Sequence, residues 1–399
     1  MTISARSFLI SFTLLFLACE LSTASDAPKV TFPGSQSSVR VPFELLANNP
    51  YVNVKVNGKG PFNFVIDTGS IDSVLASETL SELGLPPKDA NGGRGDIEIT
   101  FAGGLQIKTE RSGTLSMAGL WPLIGRRFYG IIGYDILKHF VVEFDYEKKV
   151  VTFYDPEKYK YAGSGTVFPA TMEMGYDPQV PGEFNVPGVG AIQAVFTIDT
   201  GAGGTVVTTP LVQRHALIEK VTQKVPSPGQ GVSGMEFNDV VGRISSIRLG
   251  SLVVEKPLVA LSLDTDGPLA MDDLGVNVGG NILQRFTMIV DYPHRQLILQ
   301  PNSRFHDPFL ADASGLVLKA QGDDFKIVTV QGVVAGSPAD EAGIQEGDII
   351  SNIDGESTGK YALWQIQDLF KNSGKEMIVT IMKKSKKVTT AKIKLRALA

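Results

Sequence analysis

The tripeptide Asp-Thr-Gly occurs twice, each time at the end of an apolar run. The first copy is Phe64-Val65-Ile66-Asp67-Thr68-Gly69-Ser70 and the second is Val195-Phe196-Thr197-Ile198-Asp199-Thr200-Gly201-Ala202. One copy means little, since roughly one chain in ten of this length holds it by chance. Two copies in matching surroundings constrain the chain far more. Val54-Lys55-Val56-Asn57-Gly58 precedes the first and Phe184-Asn185-Val186-Pro187-Gly188 the second. Both read as an alternating strand, a turn and a returning strand. A helix signal follows each copy. Ser77 is placed to cap a helix over 78–83 with Gly84 as its stop, and Thr209 to cap one with Pro210 in its first position.

The longest repeat lies further on. Gly133–Phe140 aligns without gaps with Gly279–Phe286, and the alignment continues to Pro156 and Asn302. It pairs Ile136 with Ile282, Leu137 with Leu283, and Asp145-Tyr146 with Asp291-Tyr292. Each half therefore reads as hairpin, Asp-Thr-Gly loop, helix, β segment, apolar-apolar-Gly, helix, hairpin. An internal duplication of this kind is read before any local signal.

The duplicated Asp-Thr-Gly with a later apolar-apolar-Gly resembles the retropepsin-like and pepsin-like aspartic proteases, over about residues 40–302. The resemblance implies a mainly β fold of two lobes about a pseudo-twofold axis. Lobe one spans 39–155. The inter-lobe connection and lobe two span 156–302. It also implies that Asp67 and Asp199 form a catalytic pair, supported by Thr68, Gly69, Ser70, Thr200, Gly201, Gly133 and Gly279. Two carboxyls about 3 Å apart cannot both ionise, so one pKa rises and the other falls. The ionised partner takes a proton from water, and the protonated one donates to the substrate carbonyl. Which aspartate holds the proton is open at this point. In the family pattern Thr68 and Thr200 bond across the axis, and Ser70 adds a hydrogen bond to Asp67 that the Ala202 side chain cannot match. The packing glycines are Gly133, after Ile131-Ile132, and Gly279, after Asn277-Val278. Asn277 departs from the apolar pattern. Asn91–Gly95 suits the flexible hairpin that covers the cleft in this family, and Gly229–Gly234 is its lobe-two counterpart. Asp145 and Asp291 precede hairpin turns, where turn chemistry accounts for them.

Beyond a linker at 303–313, Ser314-Gly315-Leu316-Val317-Leu318 leads to a strand-like run. Ser337-Pro338-Ala339 then opens a helix, Gly343 stops it, and Gly347-Asp348 turns into Ile349-Ile350. This resembles a PDZ domain of the kind attached to bacterial envelope proteases, a small α+β unit over 314–399. The resemblance implies that Gly315, Leu316, Val317 and Leu318 carry the amides that bind a peptide carboxylate, with Trp364–Phe370 as the flanking helix and the peptide added as a strand.

The 399 residues suffice for two or three domains. A net charge of −5 gives no basis for nucleic-acid binding. The lysines of 375–394 alternate with Val, Ile and Thr, as on the solvated face of a hairpin. His139, His215, His294 and His306 show no metal-ligand spacing, and neither a Gly-x-Ser-x-Gly nor a phosphate loop occurs. No metal or cofactor is expected. Arg6 followed by apolar Phe8–Ala18 reads as a signal peptide over 1–25, too short to span a membrane comfortably. Two processing routes are open: cleavage near Ser22-Thr23-Ala24, or lipidation at Cys19, which follows Phe16-Leu17-Ala18 as in a bacterial lipobox. Cys19 is the only cysteine, so the processed chain has no disulfide. No transmembrane helix is expected in it. Residues 26–38 are polar and small and read as a flexible segment. Together these features predict an exported aspartic endopeptidase, periplasmic or secreted, acting on polypeptides. Its PDZ domain would take a peptide C-terminus or a partner. The alternatives are a catalytically silent scaffold that tethers partners through the PDZ domain, and a peptidase with one dedicated target.

Overall fold

The same kernel is built twice, because each apolar run that ends in Asp-Thr-Gly must bury both faces of a strand. The computed structural model describes residues 29–86, 97–109, 113–173, 177–227, 229–231, 236–271 and 275–398. In lobe one, strand Asn49–Val56 pairs antiparallel with Lys59–Ile66, where Phe64 and Ile66 are fully buried. Gly130–Ile132 lies parallel to the returning strand, Val65 beside Ile131, and Val74–Ala76 runs antiparallel to Gly130–Ile132. Lobe two repeats this with Asp177–Val186, Gly190–Ile198, Val276–Val278 and Val206–Val207. The molecule is mainly β, and the kernel leaves each Asp-Thr-Gly loop at the end of a central strand.

A six-stranded sheet joins the lobes. Val141–Asp145 lies antiparallel to Phe286–Asp291, with Glu143 opposite Ile289. In the repeat alignment Glu143 is itself the counterpart of Ile289, so the pseudo-twofold axis passes through this pair. Val150–Tyr154 and Ser38–Leu46 extend the sheet on one side, and Gln296–Pro301 and Thr166–Pro169 on the other. Alternation gives the sheet two faces. Val142, Phe144, Val151, Phe153, Val290 and Leu297 enter one apolar core that runs through both lobes. Val141, Ile289 and Ile298 face outward, where Tyr154, Tyr159 and Tyr161 cover them.

Three local readings need correction. Residues 30–31 form a strand paired with Gln106–Thr109 rather than part of a flexible segment, because Val30 packs on the core and Phe32 meets Phe140 edge-on. Ser77 does not cap. A 3-10 turn over Ser77–Thr79 begins after Ala76 and passes into helix Leu80–Leu83, which Gly84 closes in the left-handed conformation that glycine adopts without strain. The lobe-two helix, Thr209–Arg214, begins one residue earlier than read: Thr208 is the N-cap, and the Thr209 hydroxyl is drawn to Ser262 Oγ. The signal segment, Cys19 and Asn91–Gly95 lie outside the described residues. So does the tip of the Gly229–Gly234 turn, whose flanks pair as Gly229–Gln230 with Glu236–Phe237.

The C-terminal unit has its own core of Leu316, Leu318, Val330, Ile350, Ile366, Phe370 and Val379. Its strands run in the order Leu316–Gln321, Ile327–Val333, Ile349–Ile353, Glu376–Met382, Val388–Lys394. Ser337 caps helix Pro338–Glu341, accepting from Asp340 N at 3.3 Å. The connection at 303–313 is clipped to lobe two. Arg285 stacks on Phe309 at 3.6 Å, and its Nη1 donates to the carbonyls of Arg304, Phe305 and Asp307. Among the described residues no helix is long and apolar enough to cross a membrane.

The two packing glycines have no room for a side chain. A Cβ on Gly279 would lie 2.1 Å from Gly204 O, and one on Gly133 would lie 2.7 Å from Asp72 O. Gly279→Ala is therefore expected to lower the unfolding free energy by more than about 3 kcal/mol in urea titration, and Gly133→Ala by less.

Candidate active site

The ends of the two central strands place both aspartates at the lobe interface. Asp67 N donates to Ile132 O and Asp199 N to Val278 O, each at 3.0 Å, so each loop hangs from its parallel neighbour. The threonines then cross the axis. Thr68 Oγ1 donates to Ile198 O at 2.6 Å and accepts from Thr200 N at 3.0 Å. Thr200 Oγ1 donates to Ile66 O at 2.7 Å and accepts from Thr68 N at 3.1 Å. Both threonines are fully buried. The glycines are needed for close approach. A Cβ on Gly201 would lie 2.2 Å from the Asp67 Cγ, and one on Gly69 would lie 2.8 Å from the Asp199 Cγ. Each carboxyl thus rests against the opposite loop, and the Asp199 charge acts directly on Asp67.

The two aspartates are not equivalent. Asp67 Oδ1 accepts from Gly69 N at 2.9 Å. Asp199 Oδ1 accepts from Gly201 N at 2.8 Å and Ala202 N at 3.0 Å, and its Oδ2 accepts from Asn277 Nδ2 at 2.7 Å. Three donors against one favour the charge on Asp199. Burial, then the Asp199 charge, hold the Asp67 carboxyl well above the usual carboxylate range, against the opposing Gly69 amide. The shared proton therefore belongs on Asp67. Ser70 does not supply the bond read for it: its hydroxyl donates to Asp72 O at 2.9 Å, tying down the loop instead. Asn277 has the reverse history. Its polarity breaks the apolar pattern because its side chain reaches the carboxylate.

Sequence reasoning also missed the residues that hold the two packing glycines. Gly133 N donates to Ser73 Oγ at 2.9 Å, and that hydroxyl donates to Asp135 Oδ1 at 2.6 Å. Gly279 N donates to Thr205 Oγ1 at 3.2 Å, which donates to Asn281 Oδ1 at 2.7 Å. The signal was present. Ser73 and Thr205 stand at equal distances after their Asp-Thr-Gly copies, and Asp135 and Asn281 align in the repeat. Asp145 and Asp291 cap turns, accepting from Lys148 N and His294 N.

The C-terminal groove is already in use. Gly315 N donates to Asp312 Oδ2 at 2.5 Å, Ser314 Oγ donates to Asp312 Oδ1 at 2.7 Å, and Leu316 N donates to Ser314 Oγ at 3.1 Å. The amides of Gly315 and Leu316 are thus not free for a peptide carboxylate, as the sequence reading had them. The Asp312 carboxyl stands in that position. Val317 and Leu318 flank a bulge in the pairing with Ile327–Val333, and Leu318 is buried in the core. Beside them, helix Trp121–Ile124 of lobe one packs on strand Leu316–Gln321. Gly125, which ends that helix, has its Cβ position 2.6 Å from Leu363 Cβ at the head of flanking helix Leu363–Leu369. Phe325 joins the two cores.

Among the described residues no cluster of His, Cys, Asp and Glu could hold a metal. Two cavities, of about 230 and 500 Å³, open on the outer face of the shared sheet, around Arg40 and Lys148 and around Tyr159 and Tyr161. Neither is lined by a residue of the dyad loops.

A family model described as aspartyl protease matches residues 52–135 and 180–283, and one described as PDZ domain matches 329–382. The two aspartyl protease stretches contain Asp67 with Gly133 and Asp199 with Gly279. No curated protein matches the chain. Among solved structures, the photosystem II D1 C-terminal processing protease is similar at 22% identity over 24% of this chain, with a TM-score of 0.21. That match spans 26% of the other chain and carries no weight for fold or activity.

Replacing Thr68 or Thr200 by Val removes a donor and leaves a backbone carbonyl and amide buried without partners. Each change is expected to cost about 2–6 kcal/mol in chemical denaturation, from about 1–3 kcal/mol per orphaned group.

Proposed function

Because the chain carries two aspartyl protease domains and a C-terminal PDZ domain, we propose that it is an aspartic-type endopeptidase that hydrolyses polypeptides with Asp67 and Asp199. The observation that carries this reading is the close approach of two half-buried carboxyls with unequal donor sets. A water held between them loses a proton to ionised Asp199 as its oxygen attacks the peptide carbonyl. Asp67 donates its proton to the carbonyl oxygen, giving a tetrahedral diol. On collapse the C–N bond breaks. The proton on Asp199 passes to the leaving nitrogen, and Asp67 recovers its own from the diol. Burial keeps the charges strongly coupled throughout. The apolar Phe8–Ala18 after Arg6 supports an exported protein, periplasmic or secreted, with lipid anchoring at Cys19 as the variant to test.

The polarity of Asn277 gives no support to a catalytically silent scaffold, because its side chain holds Asp199. The PDZ domain is read as a peptide-responsive element whose groove is closed by lobe one and by Asp312. A ligand carboxylate must displace Asp312. Helix Trp121–Ile124 lies between strands Gly113–Leu115 and Gly130–Ile132, and the latter leads into Gly133, so groove occupancy bears directly on the lobe-one kernel.

In a peptide-library cleavage assay, Asp67→Asn and Asp199→Asn are each expected to abolish turnover, and cleavage equal to wild type would exclude this dyad. Asn277→Ile removes a donor to the Asp199 carboxylate, so its charged form is held less well. The acid limb of the kcat/KM profile is then expected at higher pH by about 1–2 units, from about 1.5–3 kcal/mol for a bond to a charged group. Asp312→Ala frees the Gly315 amide. Fluorescence anisotropy should show about tenfold tighter binding of a peptide with a free C-terminal carboxylate and no gain for its amidated form.

A further inference from the structure

A third carboxyl, that of Asp177, stands beside the dyad and takes no part in the steps above. It is 4% exposed, and no described residue donates a hydrogen bond to its Oδ1. Electrostatically it faces Asp199 and Asp67. The Tyr292 hydroxyl, also buried without a partner, faces Asp67 and Asp177 in turn. Among the described residues no cation is among the groups that act on it. A buried carboxylate with an oxygen that no described donor reaches and no counter-charge beside it is costly, so the group must serve in its neutral form or be a liability.

The repeat gives it a place. Gln179 pairs with Thr197, just ahead of Asp199, and Tyr51 pairs with Val65, just ahead of Asp67. The same short move back along each first strand reaches Asp177 in lobe two and Asn49 in lobe one. Asn49 is buried, and its side chain ties the lobes together. Its Nδ2 donates to Thr200 O at 2.8 Å, across the lobe interface, in the loop that carries Asp199. The symmetric acceptor for Asp177 is Thr68 O, in the loop that carries Asp67. A carboxyl can replace the asparagine amide as a donor only when protonated, since a carboxylate has no hydrogen to give.

We propose that Asp177 is a positioning residue of the dyad: as a neutral carboxyl it donates to the Thr68 carbonyl the hydrogen bond that Asn49 donates to the Thr200 carbonyl. Its catalytic consequence rests on the peptidase reading; its structural consequence does not. Burial, then the Asp199 charge, push its pKa up to about 8, so the proton is held through neutral pH. Above that the clamp on the Asp67 loop loses its hydrogen, and another negative charge enters the centre. Because the folded-state pKa is raised, the folded chain binds the proton more tightly than the unfolded one. Stability is then lost progressively from about pH 4, where a free aspartate ionises, up to about pH 8.

The test compares the wild type with Asp177→Asn, which keeps a donor at every pH, and Asp177→Leu, which has none. Melting temperatures of the whole chain are followed from pH 4 to pH 9. Asp177→Asn should match the wild type at the acid end and melt increasingly above it as pH rises to about 8. Asp177→Leu should melt below Asp177→Asn throughout. In peptide cleavage Asp177→Leu should lose at least tenfold in kcat, and Asp177→Asn should restore most of that loss while extending activity above pH 8. A constant melting difference between wild type and Asp177→Asn, or Asp177→Leu cleaving as well as Asp177→Asn, would overturn the assignment. If no form cleaves any peptide, the peptidase reading falls, and the melting comparison still decides the role of Asp177.

Discussion

The crossed hydrogen bonds of Thr68 and Thr200 are the constraint on which everything else depends. Each hydroxyl donates to the opposite lobe's strand and accepts from the opposite lobe's loop. Four buried bonds thereby fix two loops that are distant along the chain. Once they are fixed, Gly69 and Gly201 bring each carboxyl against the other loop, and the carboxyls have no choice but to meet. The six-stranded sheet serves the same end from below, since its axis passes between Glu143 and Ile289. A duplicated sequence folded about an axis delivers two copies of one group to one point. A pair of like charges is the physical outcome, and a shared proton is how the pair is tolerated.

Symmetry brings the aspartates together, and departures from symmetry give them different roles. Ala202 N bonds the Asp199 side chain, whereas Ser70 N bonds the Asp67 backbone. Asn277 supplies Asp199 with a donor, whereas Ile131, its counterpart, cannot. Asn49 donates to one loop, whereas Asp177 stands opposite with a carboxyl. Each difference falls on a position where the repeats otherwise match, and together they leave Asp199 well supplied with donors and Asp67 poor in them.

Much of this was legible in the sequence, for a physical reason. Repetition is visible without coordinates, and it carried the mainly β two-lobed architecture, the pairing of Gly133 with Gly279 and the expectation that Asp67 meets Asp199. Contacts that cross between repeats are not visible that way. Asn277 read as a flaw in an apolar triplet, because its partner lies far off in sequence. Ser70 read as a ligand of Asp67, because nothing local shows that Asp72 O is nearer. Gly315 and Leu316 read as open amides, because a motif does not reveal that Asp312 has already taken them or that Trp121–Ile124 lies alongside. Ser73 and Thr205 could have been found by carrying the repeat alignment through the loops as well as the strands.

The central claim is that one proton serves two carboxyls and rests on Asp67. Neutron diffraction from deuterium-exchanged crystals reads this most directly. One deuteron between the carboxyls, bonded to an Asp67 oxygen, with none on Asp199, is the predicted result. A deuteron on Asp199, one on each carboxyl, or none on either would contradict it.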